Sequence, residues 1–162
     1  MSDFRRILAV VDLTLPGLAT ARHAWMQAMK GGARFGIGHV VDWDHGNGFS
    51  TLAPSQIEDR LERVVKRKLA EMTDMIGAVQ STHLVSFKTP RLGLSELLRG
   101  WQPDLLILDC RQAFGLGQDM SPKALGWTCE IQIVDLPGSG FQPGLLFQTL
   151  AQSLQNRLTA MP

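Results

Sequence analysis

The 162 residues predict an α/β protein, a three-layer open sandwich with helices on both faces of a five-stranded parallel sheet, plus an extra C-terminal helix. Three observations carry that expectation. Short apolar runs alternate with amphipathic stretches along the chain, and such alternation marks parallel strands joined by right-handed crossovers. Leu105 to Leu108 are four consecutive apolar residues between Pro103-Asp104 and Asp109, which suits a strand covered on both faces. The first two runs, Ile7 to Val11 and the stretch through Val40 and Val41, end on Asp12 and Asp42, polar groups at the carboxyl ends where such sheets bind ligands.

The elements follow in order. Arg6 to Asp12 is a buried strand, followed by a turn at Leu13 to Gly17 in which Thr14 is a helix cap and Pro16 fits a first turn. From Leu18, apolar residues recur at Ala21, Trp25, Ala28 and Met29, a helical spacing, until Gly31-Gly32 stops it. Arg34 to Asp42 is the second strand, its glycines permitting close helix packing, and Trp43 to Thr51 is a loop. Pro54 starts the clearest helix, with Ile57, Leu61, Val64, Val65, Met72 and Ile76 on one stripe and Gly77 at its end. Asp59 with Arg63, Glu62 with Lys66, and Arg67 with Glu71 pair at four-residue spacing on its wet side.

His83 to Lys88 alternates as a half-exposed strand nearer an edge. Thr89 to Gly93 reads as a turn and Leu94 to Trp101 as a short helix with Leu94, Leu97, Leu98 and Trp101 inward. The strand at Leu105 is followed by a loop from Ala113 to Pro122, a brief helix from Pro122 to Trp127, and a last strand from Glu130 to Leu136. Residues 1–136 thus form one α/β domain. Residues 137–162 add a Gly/Pro-rich linker and an amphipathic helix with Phe147, Leu150, Ala151, Leu154 and Leu158 on one face. That helix covers its own sheet or packs on a second subunit.

Composition narrows the function classes. A chain of this length buries a full core without disulfides or metals. Sixteen Lys plus Arg against fifteen Asp plus Glu give +1, too little for a strong field toward nucleic acid or anionic membrane. The basic cluster Arg63, Lys66, Arg67 and Lys68 has acidic residues interleaved and reads as a solvated face. No apolar run reaches signal-peptide or membrane-span length, and Cys110 and Cys129 read as free thiols, so the cytoplasm is the expected compartment.

Taken together, the strand Ile7 to Asp12, the strand ending His39-Val-Val-Asp42 and the run Pro103 to Leu108 after a short helix resemble the universal stress protein family across roughly residues 4–136. The resemblance implies the adenine nucleotide α-hydrolase-like fold and a homodimer built through the last strand. Some members bind ATP. In those, the aspartate ending the first strand lies against the nucleotide, the end of the second strand touches the adenine, and a glycine-rich segment after the fourth strand holds the phosphates. That segment runs Gly, two residues, Gly, nine residues, Gly, then Ser or Thr. Glycine lets backbone N–H groups approach the anion, and a helix start favours negative charge.

Carried onto this chain, the site residues are Asp12, Val41, Arg111, Gly115 and Gly117. The phosphate segment departs from the pattern. Asp109 stands where its first glycine falls, Gly115 and Gly117 are one residue apart, and Gln118-Asp119 falls where Gly-Ser or Gly-Thr is expected. Carboxylates near a triphosphate repel it by roughly 1 kcal/mol per close pair in a wet site and several where shielded; Arg111 offsets part of this. The expectation is a dimeric stress-response or signalling module acting through protein partners, with no catalysis and no resident cofactor. An ATP- or AMP-binding member with a degenerate phosphate loop is the alternative, and a small enzyme of the related hydrolase-like group is a third.

Other residues invite sharper readings. Asp12 also reads as a cap on the first helix. His39 reads as a core histidine satisfied by backbone, and His45 between Asp42, Asp44 and Asn47 as part of a surface loop. Cys110 sits at the ligand-facing edge beside Arg111, but no partner base is evident for it. No Ser-His-Asp, paired-glutamate or HExxH pattern occurs.

Overall fold

The structure is a computed structural model that describes residues 3–41, 54–115 and 126–134. Its elements are β1 (Arg6–Val10), α1 (Leu15–Gly31), β2 (Arg34–Val40), α2 (Pro54–Ile76), β3 (Ser81–Ser86), α3 (Pro90–Trp101), β4 (Leu105–Asp109), α4 (Cys110–Gly115) and β5 (Glu130–Val134). The strands form one sheet in the order β3-β2-β1-β4-β5, and every neighbouring pair is parallel. The expected five-stranded α/β sheet is therefore present. The strand read as nearer an edge, β3, is an edge strand. The loop around His45, the brief helix begun at Pro122, Gly117 and the C-terminal helix lie outside the described residues.

Two apolar layers explain why the inner strands are apolar without alternation. Ile7 and Ala9 of β1, Phe35 and Ile37 of β2, and Leu105 and Ile107 of β4 point to the layer of α1 and α2. Leu8 and Val10, with Leu106 and Leu108, point to the layer of α3. Both sets are almost fully buried, and each of the larger side chains contributes roughly 1.5–3 kcal/mol by leaving water. Ala21, Ala24 and Ala28 are at 0% exposure, so α1 lies close on the sheet. The β2 glycines do the same on the other face: a Cβ at Gly36 would come 3.1 Å from the Trp101 ring, and one at Gly38 3.1 Å from Leu97 Cδ1.

Four expectations need correction. The stretch Thr89 to Gly93 is not a turn before a helix; α3 already begins at Pro90, whose missing N–H costs nothing in a first turn. Gly93 lies inside that helix because a Cβ there would come 2.4 Å from Val40 Cγ1. The chain after β4 does not run directly into a loop but turns at once into α4. On α2, Glu62 pairs with Lys66 at 3.1 Å as expected, but Glu71 pairs with Lys68 at 3.0 Å rather than with Arg67. Lys68 is buried, not part of a solvated face, and its ammonium is covered where it meets Glu71.

Candidate functional site

Where a parallel sheet winds both ways from its middle, the carboxyl ends of the two central strands leave a crevice. Here the chain moves from β1 outward to β2 and β3, then returns to β4 and β5 on the other side, so the reversal lies between β1 and β4. The register that pairs Ala9 with Ile107 brings the segments after these strands, Val11-Asp12 and Asp109-Cys110, to the same edge. Val41 reaches that edge from β2.

The first of these segments is tightly bound. Val11 N–H donates to the Gly38 carbonyl at 2.9 Å. The His39 ring meets the Val11 carbonyl through Nδ1 at 2.7 Å. A carbonyl only accepts, so Nδ1 carries the proton, and Nε2 is the basic nitrogen of the neutral ring. Burial pushes the His39 pKa below its ordinary 6.5, opposed by the Val11 bond and by the charge of Asp12. The expectation of a backbone-satisfied histidine is met.

Asp12 itself does not cap α1. Thr14 is the cap, in extended conformation, accepting the Gly17 N–H at 3.5 Å. The Thr14 hydroxyl donates in turn to Asp12 Oδ1. Asp12 thus orients the capping group, one step removed from the role read for it. Gly17 completes the turn, since a Cβ there would lie 2.1 Å from the Asp12 carbonyl oxygen.

Val41 is held by its N–H to the Ser86 carbonyl at 2.7 Å, which ties the end of β2 to β3. Ser86 is 1% exposed, and its hydroxyl has no hydrogen-bond partner among the described residues. This buried hydroxyl beside the site went unnoticed in the sequence, because nothing in a Ser-Phe-Lys string signals it.

The fourth strand ends at the same edge on a buried carboxylate. Asp109 is 5% exposed, and its Oδ1 accepts the Gln112 N–H at 2.8 Å. This is an N-cap on α4, and it places a carboxylate at the start of that helix. Of the five residues read as a nucleotide site, Asp12 and Val41 come together at one edge. Arg111 and Gly115 lie on the backbone of α4, so Gly115 is helical rather than in a loop. Gly117 lies outside the described residues. Cys110 is exposed and Cys129 buried, both as free thiols. Among the described residues, no three or more His, Cys, Asp or Glu are grouped to hold a metal, and no helix is long and apolar enough to cross a membrane.

No protein-family model matches the chain, and no curated protein sequence does. Solved structures do. A universal stress protein in complex with cAMP is 17% identical, the match covering 84% of this chain and 100% of that one with a TM-score of 0.58. The universal stress protein UspA from Lactobacillus plantarum is 15% identical over 83% of this chain and 100% of its own, with a TM-score of 0.58. The universal stress protein from Archaeoglobus fulgidus in complex with dAMP is 12% identical over 83% and 100%, with a TM-score of 0.55. At such identities the likeness concerns architecture alone, and in architecture this chain has the universal stress protein fold.

Proposed function

We propose that the chain is a universal stress protein-like module acting in stress response or signalling. In this reading it is a cytoplasmic homodimer that works through protein contacts, without catalysis and without tightly held ATP. Asp109 supports the reading most directly: its buried carboxylate caps α4 where a phosphate-binding segment would begin. Near-neutral net charge supports a partner other than nucleic acid or membrane. Protein purified without added nucleotide, then denatured and chromatographed, is expected to release no stoichiometric nucleotide. Stoichiometric ATP in the supernatant refutes the reading.

A second reading, an ATP- or AMP-binding protein with a degenerate phosphate loop, is favoured by two observations. Two of the similar structures hold cAMP and dAMP. Asp12 and Val41 also share the carboxyl edge, with Arg111 and Gly115 on the adjacent α4. Calorimetric titration with AMP and ATP separates the readings. Binding by AMP that strengthens in Asp109→Asn, which keeps a capping oxygen and removes the charge, supports the second.

A further inference from the structure

A cleft of about 940 Å³ opens at the opposite end of the sheet, where the strands begin. The last turn of α3 forms one wall with Arg99 and Gln102, the starts of β1 and β4 supply Arg5, Arg6 and Asp104, and Trp127 leads the other wall into β5. With Glu130, the lining carries three guanidiniums and two carboxylates.

The charges are not equally available. Asp104 Oδ2 accepts the backbone N–H groups of Arg5 and Arg6, each at 2.8 Å, so its charge is already met by two donors. Arg6 Nη1 donates to the Trp101 carbonyl at 2.8 Å, and the Gln102 N–H donates to the Leu98 carbonyl at 2.8 Å. Those bonds occupy carbonyls at the negative end of α3 that would otherwise repel an anion. Glu130, exposed at the start of β5, leaves one carboxylate against the two remaining cations, Arg5 and Arg99. Both are exposed, and neither guanidinium has a hydrogen-bond or ion-pair partner among the described residues. The two segments flanking residues 126–134 in sequence offer little to neutralise them, since 116–125 carry one acid, Asp119, and 135–162 carry one, Asp135.

The walls are also fixed. Trp127 Nε1–H donates to Ser95 Oγ at 2.9 Å, and that hydroxyl donates to the Arg91 carbonyl at 3.0 Å. Gln102, on the rim, has φ 53° and ψ 60°, the one non-glycine among the described residues held at positive φ.

We propose that this cleft binds a phosphate-bearing small molecule, with Arg5 and Arg99 holding the phosphate and Trp127 bordering the rest. Two guanidiniums suit a phosphate better than a carboxylate: each presents a fork of N–H donors, and only the phosphate carries enough oxygens and charge to satisfy both. The volume lies within the roughly 300–1,000 Å³ of ordinary ligand sites, which leaves room for a molecule larger than inorganic phosphate. The site is separate from the crevice at the carboxyl ends and stands whether or not that crevice takes a nucleotide.

Inorganic pyrophosphate is the probe, titrated into the full chain and followed by two-dimensional 1H–15N NMR, with citrate as the carboxylate arm. Saturable shifts are expected at the Trp127 indole N–H and the Gln102 backbone N–H. Affinity falls about tenfold in Arg99→Gln and about tenfold again when Arg5→Gln is added. Lys88→Gln, which removes an exposed charge elsewhere, leaves it unchanged. Both arginines are exposed, so the variants' remaining spectra overlay that of the parent. The proposal is overturned by an absence of shifts, by shifts that fail to saturate or scatter over the surface, by undiminished binding in the double variant, or by citrate binding as tightly as pyrophosphate.

Discussion

Gly17 and Gly93 show how two glycines can be required for different reasons. A methyl at Gly17 meets backbone, the Asp12 carbonyl oxygen at 2.1 Å, which cannot swing aside. At Gly93 the obstacle is the Val40 side chain at 2.4 Å, stiff through β-branching yet able to change rotamer. Ala for Gly within a helix otherwise stabilises by roughly 0.5–1 kcal/mol, and overpacking costs about 1–3 kcal/mol. Gly17→Ala is therefore expected to be the more destabilising of the two, and both to lower the urea midpoint. Equal or raised midpoints would sink the packing account.

His39 makes a second prediction at this scale. Its pKa in the fold is lowered, so the folded state disfavours the extra proton more than the unfolded chain does. The unfolded chain binds more protons below its ordinary 6.5, so the stabilising contribution is present above that pH and is lost as pH falls through the folded value. His83 is lowered in the same direction by burial, opposed by Asp74 and aided by Lys66, and adds to the slope. Urea unfolding across pH 7.5 to 5, roughly the range of histidine titration, should show weakening stability toward acid. The slope should shrink in His39→Gln, and an unchanged slope removes His39 from the account.

Among the elements, α4 was the least legible and matters most to the site. A six-residue helix has no room for an apolar stripe, so Cys110 to Gly115 carries no periodic signal. Its start is marked by Asp109, but a cap is readable only once the strand is known to end there. The long elements were legible because each carries many residues of one pattern, as the stripe on α2 and the runs of β1 and β4 do. Two misreadings came from residues whose role is set by a distant neighbour. Gly93 looked like a breaker and is a packing contact with Val40; Lys68 looked solvated and is covered. The Thr14 cap was readable from its place before Pro16, whereas its hydroxyl's bond to Asp12 was not. For α4 the expected outcome is specific: Asp109→Ala destabilises by about 1 kcal/mol through the lost cap, while Asp109→Asn costs less because its amide oxygen still accepts the Gln112 N–H. Chemical denaturation of the two variants checks this, and equal losses would place the effect in the charge instead.

At the scale of the molecule, the described sheet has two unlike edges. β3 ends one side, tied to β2 by six register pairs and by the Val41 N–H to the Ser86 carbonyl. β5 ends the other side, and its sequence is not that of a guarded edge. Ile133 is 44% exposed, Ile131 is only partly buried, and Glu130 is the one charge on the strand. Edge strands left open in solution usually carry charges, proline or a bulge that discourages pairing. An apolar edge with one terminal acid suits burial against a second copy, consistent with the proposed homodimer. Ile133 pairs with Leu108 at the rim of the α3 face but is 44% exposed, so Ile133→Lys places a cation there with its side chain already reaching water. If the dimer forms through β5, light scattering coupled to gel filtration should show the parent at twice the chain mass and Ile133→Lys at the chain mass, with circular dichroism unchanged. A variant that remains dimeric assigns the contact to another surface, and a monomeric parent removes the homodimer from the proposal altogether.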